Sequence, residues 1–154
     1  MYSTVLVLHS IFRWLVLLAL SYAIVIAYRG YTSKSSFSSW DNHIRHWTAT
    51  IAHIQLVFGI LVYIKSPIVQ SFFSTFSTSF SDWNLTFFGL LHPILMLTAI
   101  VVITVGSAKA KRKETDSEKY QTMLIWFVLA LIFIFIAIPW PFSPLANRPY
   151  LRTF

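Results

Sequence analysis

Four apolar runs, each about long enough to cross a hydrocarbon core, constrain this chain more than any other feature. They occupy residues 4–28, 44–64, 85–107 and 120–138. At about 1.5 Å of rise per residue, a helix of roughly twenty residues crosses a core about 30 Å thick. Lipid offers the backbone no hydrogen bonds, so a crossing segment must satisfy its own N–H and C=O groups, which a helix does. None of the runs alternates polar and apolar residues as a strand would. The expected fold is therefore all-α: an integral membrane four-helix bundle forming a single transmembrane domain, residues 1–154.

Composition agrees. Hydrophobic residues make up 56% of the chain and charged residues 11%, whereas a soluble domain needs about a quarter of its residues charged. The first run lacks a basic leading region, carries Arg13 in its middle and is too long for a signal-peptide core, so it reads as a helix of the mature chain. There is no cysteine, which removes disulfides and thiolate metal sites.

The net charge of +7 invites a nucleic-acid reading, but its distribution argues against one. Arg29, Lys34, Arg45, Lys109, Lys111, Arg112, Lys113 and Lys119 fall after the first and third runs; Lys65, Arg148 and Arg152 fall on the other side. The positive-inside rule then puts the basic loops in the cytoplasm and both termini outside. The basic run 109–119 also suits anionic lipid headgroups.

Between the second and third runs, Val69, Phe72, Phe73, Phe76, Phe80 and Trp83 recur at three- and four-residue spacing, with Ser and Thr in the gaps. The pattern predicts a short amphipathic interfacial helix over about residues 68–82, its phenyl rings in the acyl region of the outer leaflet. Pro139, Pro141, Pro144 and Pro149 end the fourth helix near Ile138 and predict an extended outer tail, 139–154, anchored by Trp140, Tyr150, Arg148 and Arg152.

The candidate site lies in the polar residues of the spans. His9, His53 and His92 sit one on each of the first three runs, and Arg13 lies one turn from His9. Each unpartnered imidazole in hydrocarbon costs a few kcal/mol, so ionisable groups in spans are functional candidates by default. Gly89, His92, Met96, Ala99, Ile103 and Gly106 share one stripe of the third helix. Pro93 frees a carbonyl one turn back and predicts a kink beside His92. On the second helix His46, Thr50, His53 and Val57 share a face, with Gln55 and Gly59 opposite. Polarity on both faces predicts that this helix is surrounded by protein. The fourth helix, apolar all round, reads as a packing helix. Depth favours His9 with His92 over His53 with His92 as two axial ligands of a haem iron, with Arg13 facing a haem propionate. Met96 is a further axial candidate, with plain packing as its simpler role. Each histidine also has a plain alternative as a hydrogen-bonded core residue, and Arg13 as a residue snorkelling to the interface. Asp41, His43 and His46 could form a surface metal site but lack a fourth ligand.

His9-x3-Arg13-Trp14, the stretch Arg45-His46-Trp47-Thr48-Ala49-Thr50-Ile51-Ala52-His53-Ile54-Gln55, the run from Gly106 to Lys113, and Pro139-Trp140-Pro141-Phe142-Ser143-Pro144 together carry a likeness. The chain resembles, over essentially its whole length, the short four-span membrane proteins of Bacteroidota called "cytochrome B". The resemblance implies haem b and a bacterial inner membrane. Any haem is expected to be non-covalent, since no Cys-x-x-Cys-His motif is present.

Two functions follow as expectations. One is a membrane b-type cytochrome-like electron carrier, exchanging electrons with a quinone or a protein partner. The other is a non-catalytic accessory subunit of a larger inner-membrane complex, or a homo-oligomer, with its histidines in packing roles. A proton-conducting module is disfavoured because Asp41, Asp82, Glu114, Asp116 and Glu118 all fall outside the runs. No nucleophile, base and orienter set and no phosphate-binding loop can be assembled, so a hydrolase or transferase is not expected.

Overall fold

The computed structural model describes residues 2–146 and 148–151. Its described residues form helices α1 (Tyr2–Thr32), α2 (Ser39–Lys65), α3 (Pro67–Ser74), α4 (Phe76–Ser79), α5 (Trp83–Thr86), a π-helical turn (Phe87–Leu91), α6 (His92–Lys111) and α7 (Asp116–Ala137). No strand is present among them. Four helices are long and apolar enough to cross a membrane: α1, α2, the continuous helix from Trp83 to Lys111, and α7.

The spans begin earlier than hydropathy alone places two of them, and capping explains why. Ser38 accepts from the Asp41 N–H while the Asp41 carboxylate accepts from the Ser38 N–H, which starts α2 at Ser39 rather than 44. Thr115 and Glu118 make the same reciprocal box and start α7 at Asp116 rather than 120. Asp41, Asp116 and Glu118 therefore belong to first helical turns, where carboxylates suit the helix dipole, not to loops.

Packing runs in a closed ring in which α1 lies against α2 and α7, and α6 against α7 and α2. Small residues set the close approaches. Leu20, Ala23 and Ala27 of α1 and Met123, Phe127 and Ala130 of α7 are fully buried in the common core, with Ala99, Ile103 and Ala110 of α6. Gly30 faces the ring of Tyr120, and Gly106 the Cβ of Trp126. Each of these contacts lies within a distance that a methyl group would fill, so side chains of one helix settle on the bare backbone of the next.

The 68–82 segment is helical but broken at Thr75 into α3 and α4. Pro67 at the first position and Ser66 as cap start α3. Phe72 departs from the expectation that the phenyl rings face lipid. It is buried against Gly89, ringed by Phe73, Phe76 and Phe80 at centroid distances of 5.3, 5.6 and 5.7 Å. Phe73, Phe76, Phe80 and Trp83 are exposed.

Beyond α7 the chain is non-helical, but it closes on itself instead of running as an extended strap. The Arg148 N–H donates to the Pro139 carbonyl at 3.1 Å, and the Trp140 indole N–H returns to Phe135 O at 2.8 Å. Trp140 is buried and Phe142 stacks on it at 5.8 Å and 7°. Proline removes donors from this stretch, so the remaining N–H groups take the few acceptors a tight loop presents. The anchoring expected of Arg152 lies outside the described residues.

Candidate functional site

The π-helical turn positions the site. The His92 N–H bonds to Phe87 O, five residues back, so the helix widens just before Pro93. Pro93 has no N–H to return to Gly89 O one turn earlier, and the Tyr63 hydroxyl donates to that carbonyl instead, at 2.8 Å. The kink expected beside His92 thus takes the form of a widened turn with its released carbonyl satisfied from α2.

His92 projects from α6 toward α1 and the end of α7. Its Nδ1–H donates to the Ala137 carbonyl at 2.8 Å, since a carbonyl can only accept. The lone pair is thereby left on Nε2, the tautomer that metal-ligating histidines commonly hold by such an outer contact. His9 of α1 meets it, with ring centroids 6.5 Å apart and planes at 72°. Phe87 and Phe88 pack on His92 at 5.9 and 6.2 Å. Gln55 of α2 donates from Nε2 to the His9 carbonyl at 3.1 Å and lies 3.2 Å from His9 Nδ1. Gly59, one turn on, leaves room for the ring, since a Cβ there would sit 3.4 Å from His9 Cε1.

Arg13 lies one turn further along α1. It donates to the Tyr150 carbonyl, and Trp14 Nε1 donates to the same oxygen at 3.0 Å. Two polar atoms at this end are buried without a hydrogen-bond partner among the described residues: Arg13 Nε and Gln55 Oε1.

His53 does not join this group. Two residues along a helix turn it by about 200°, so when Gln55 faces His9 the His53 ring points out of the bundle. It is exposed and bonds through Nε2 to Thr104 Oγ1 of α6 at 3.0 Å. His53, a candidate ligand in the sequence, therefore stands apart: α1 and α6 supply the pair, and α2 contributes Gln55. Met96 is partly buried and packs against the core. His43 and His46 are exposed, with the His46 ring against Trp47 at 6.1 Å, while Asp41 turns inward and is lost to any surface metal site. Among the described residues no group of three metal-ligating side chains is present.

A second polar cluster, at the opposite end, was not legible as such from composition. Asp41 and Arg45 counted there as loop charges, yet both are buried, Arg45 to 5% exposure. Tyr120 Oη donates to Asp41 Oδ2 at 2.9 Å and to Ser36 O at 3.1 Å. Arg45 donates to Asn42 Oδ1 from Nε and Nη2, and to Ser107 O and Oγ from Nη1. Ser107 lies in the final turns of α6, whose carbonyl end carries partial negative charge, so the guanidinium suits that place without a carboxylate. The Ser38-x-x-Asp41 box was the available signal.

The donor set can be tested against the haem that the resemblance implies. His9 and His92 bring two imidazoles from different spans to a ring-centroid distance of 6.5 Å. His92 already has the ligating tautomer. His9 is turned toward Gln55, whose Nε2 lies 3.2 Å from its Nδ1 and 3.5 Å from its Nε2. The chemistry of the donor set, two imidazoles from facing spans, suits such a group, with His9 and His92 the residues that would hold it. Compared with known proteins, the chain matches no family model, no curated protein and no solved structure.

Proposed function

We propose that this chain is a b-type cytochrome-like electron carrier of a bacterial inner membrane, with a non-covalent haem between His9 and His92. The carrying observation is the 6.5 Å approach of two imidazoles from different spans, one with its proton fixed on the far nitrogen by Ala137 O. Bound there, the haem would supply one-electron chemistry between ferric and ferrous iron. The chain's residues would do the rest. His9 and His92 would hold the iron, Phe87 and Phe88 would exclude water, and Arg13 would set a positive charge at the mouth. In this reading both termini and the α3–α4 segment lie at the outer interface. The basic loops lie inside, and a quinone or protein partner exchanges electrons at the outer half.

The test is a visible spectrum of the purified full chain in mild detergent, oxidised and reduced, with haem supplied. A Soret band and a sharp reduced α band, both lost in His9→Ala and His92→Ala but kept in His53→Ala, are expected. A folded preparation that stays colourless after haem is supplied refutes the proposal. A second reading, a non-catalytic accessory subunit, is favoured by one observation: both histidines are already hydrogen-bonded to protein, His9 to Gln55 and His92 to Ala137.

A further inference from the structure

Among the four candidate spans α2 has the lowest mean hydropathy, 1.6 against 2.1–2.3, and the smallest buried share, 17% against 22–33%. A bundle in lipid alone would favour the reverse, with its least apolar helix the most enclosed. The outward face of α2 concentrates the mismatch. His46, Thr50, His53, Val57, Ile60 and Ile64 follow three- and four-residue spacing along it. Thr50 is partly exposed and the other five are exposed.

His53 lies at the middle of this helix, the depth at which a membrane supplies the fewest polar partners. Its Nε2 is bonded to Thr104 Oγ1, whose own hydrogen goes to Ile100 O at 2.7 Å, so Nε2 carries the proton. Its Nδ1 is then an acceptor with no donor among the described residues. We infer that the α2 face centred on His53 is the contact between two copies of this chain, related by a two-fold axis along the membrane normal.

Two features select a second copy over an unrelated helix. Such an axis places every residue and its counterpart at equal depth, so helices whose faces touch at His53 bring it against His53. A neutral imidazole is also both donor and acceptor. One protomer keeps Nε2–H on Thr104 and offers Nδ1. The other places its proton on Nδ1 and takes the Thr104 hydroxyl hydrogen at Nε2. Histidine can therefore satisfy itself across the axis without charge. Below it, Val57, Ile60 and Ile64 form a flat β-branched surface suited to close helix contact.

The natural chain contains no cysteine, so single-cysteine variants report one face each. Val57→Cys, Ile60→Cys and Ile64→Cys of the full chain, oxidised in native membranes, should give a cross-linked species of twice the 17.8 kDa chain mass. Leu18→Cys on α1 and Ile132→Cys on α7, equally exposed, should give little. His53→Leu should cut cross-linking at Val57→Cys at least threefold, and His53→Gln, which keeps a donor and an acceptor, should restore most of it. Equal cross-linking at all five positions, a product of another mass, or no effect of His53→Leu overturns the inference. So does a monomeric mass in detergent for a chain that remains folded and does not cross-link in membranes.

Discussion

Tyr63 and Gly89 are joined by a 2.8 Å hydrogen bond from the phenol hydroxyl to the carbonyl that Pro93 leaves without its usual helical donor. This bond ties α2 to the widened turn that aims His92. Tyr63→Phe removes it while keeping the ring, at an expected cost of about 1–2 kcal/mol for the carbonyl left unpaired. Thermal unfolding of the purified chain in detergent should show a Tm several degrees lower. An unchanged Tm would mean that the carbonyl finds another donor and that Tyr63 does not position the turn.

Gly30 and Gly59 should respond differently to the same substitution. A Cβ on Gly30 would lie 2.3 Å from Tyr120 Cζ, inside a contact between α1 and α7, whereas one on Gly59 meets only His9 at 3.4 Å. Gly30→Ala is expected to destabilise by about 1–3 kcal/mol through overpacking. Gly59→Ala should change stability little and act, if at all, on the His9 ring. Equal unfolding temperatures for the two variants would contradict this packing.

Asp41 and Arg45 are buried structural charges, so their loss should exceed that of ordinary basic-loop residues. Hydrogen bonds to charged groups contribute about 1.5–3 kcal/mol, and Asp41→Asn weakens those to Ser38 and Tyr120. Arg45→Lys should not rescue what Arg45→Met loses, because an ammonium cannot span Asn42 and Ser107 as the guanidinium fork does. Arg29→Gln, at an exposed position, is the reference and should be near neutral. Detergent unfolding of the four variants decides it, and an Arg45→Lys chain as stable as the wild type would reject the fork.

Arg13 and Trp14 hold the tail through one carbonyl, Tyr150 O. Arg13→Gln should leave the four spans intact and raise the rate of proteolysis within 141–151 several-fold, and Trp14→Phe should do so less. Limited proteolysis followed by mass measurement is the readout. Equal cleavage rates would show that other contacts, such as Trp140 against the α7 end, suffice to seat the loop.

The membrane architecture was legible in the sequence because it depends on a local quantity, the length of an apolar run, which tertiary packing cannot alter. Of the stripe Gly89, His92, Met96, Ala99, Ile103 and Gly106, all but the half-buried His92 and Met96 are buried, since glycine and alanine at helical spacing admit a neighbour. What the runs could not specify was rotation about each helix axis. On α2 both faces carry polar groups, and the choice fell to Ala49 and Ala52, whose small buried side chains let α2 approach the bundle with Gln55 on the same side. That rotation brings Gln55 to His9 and sends His53 outward. The inward side could have been read from those alanines, but which of two polar residues mattered to the pair could not. The partners of His92 are beyond any linear reading, because the Ala137 carbonyl lies 45 residues away and is exposed to it only where α7 stops. Sequence by itself determined four apolar helices and the polar residues they carry. Tertiary structure decided which of those residues meet, because hydrogen bonds between helices depend on rotation and depth that packing alone fixes.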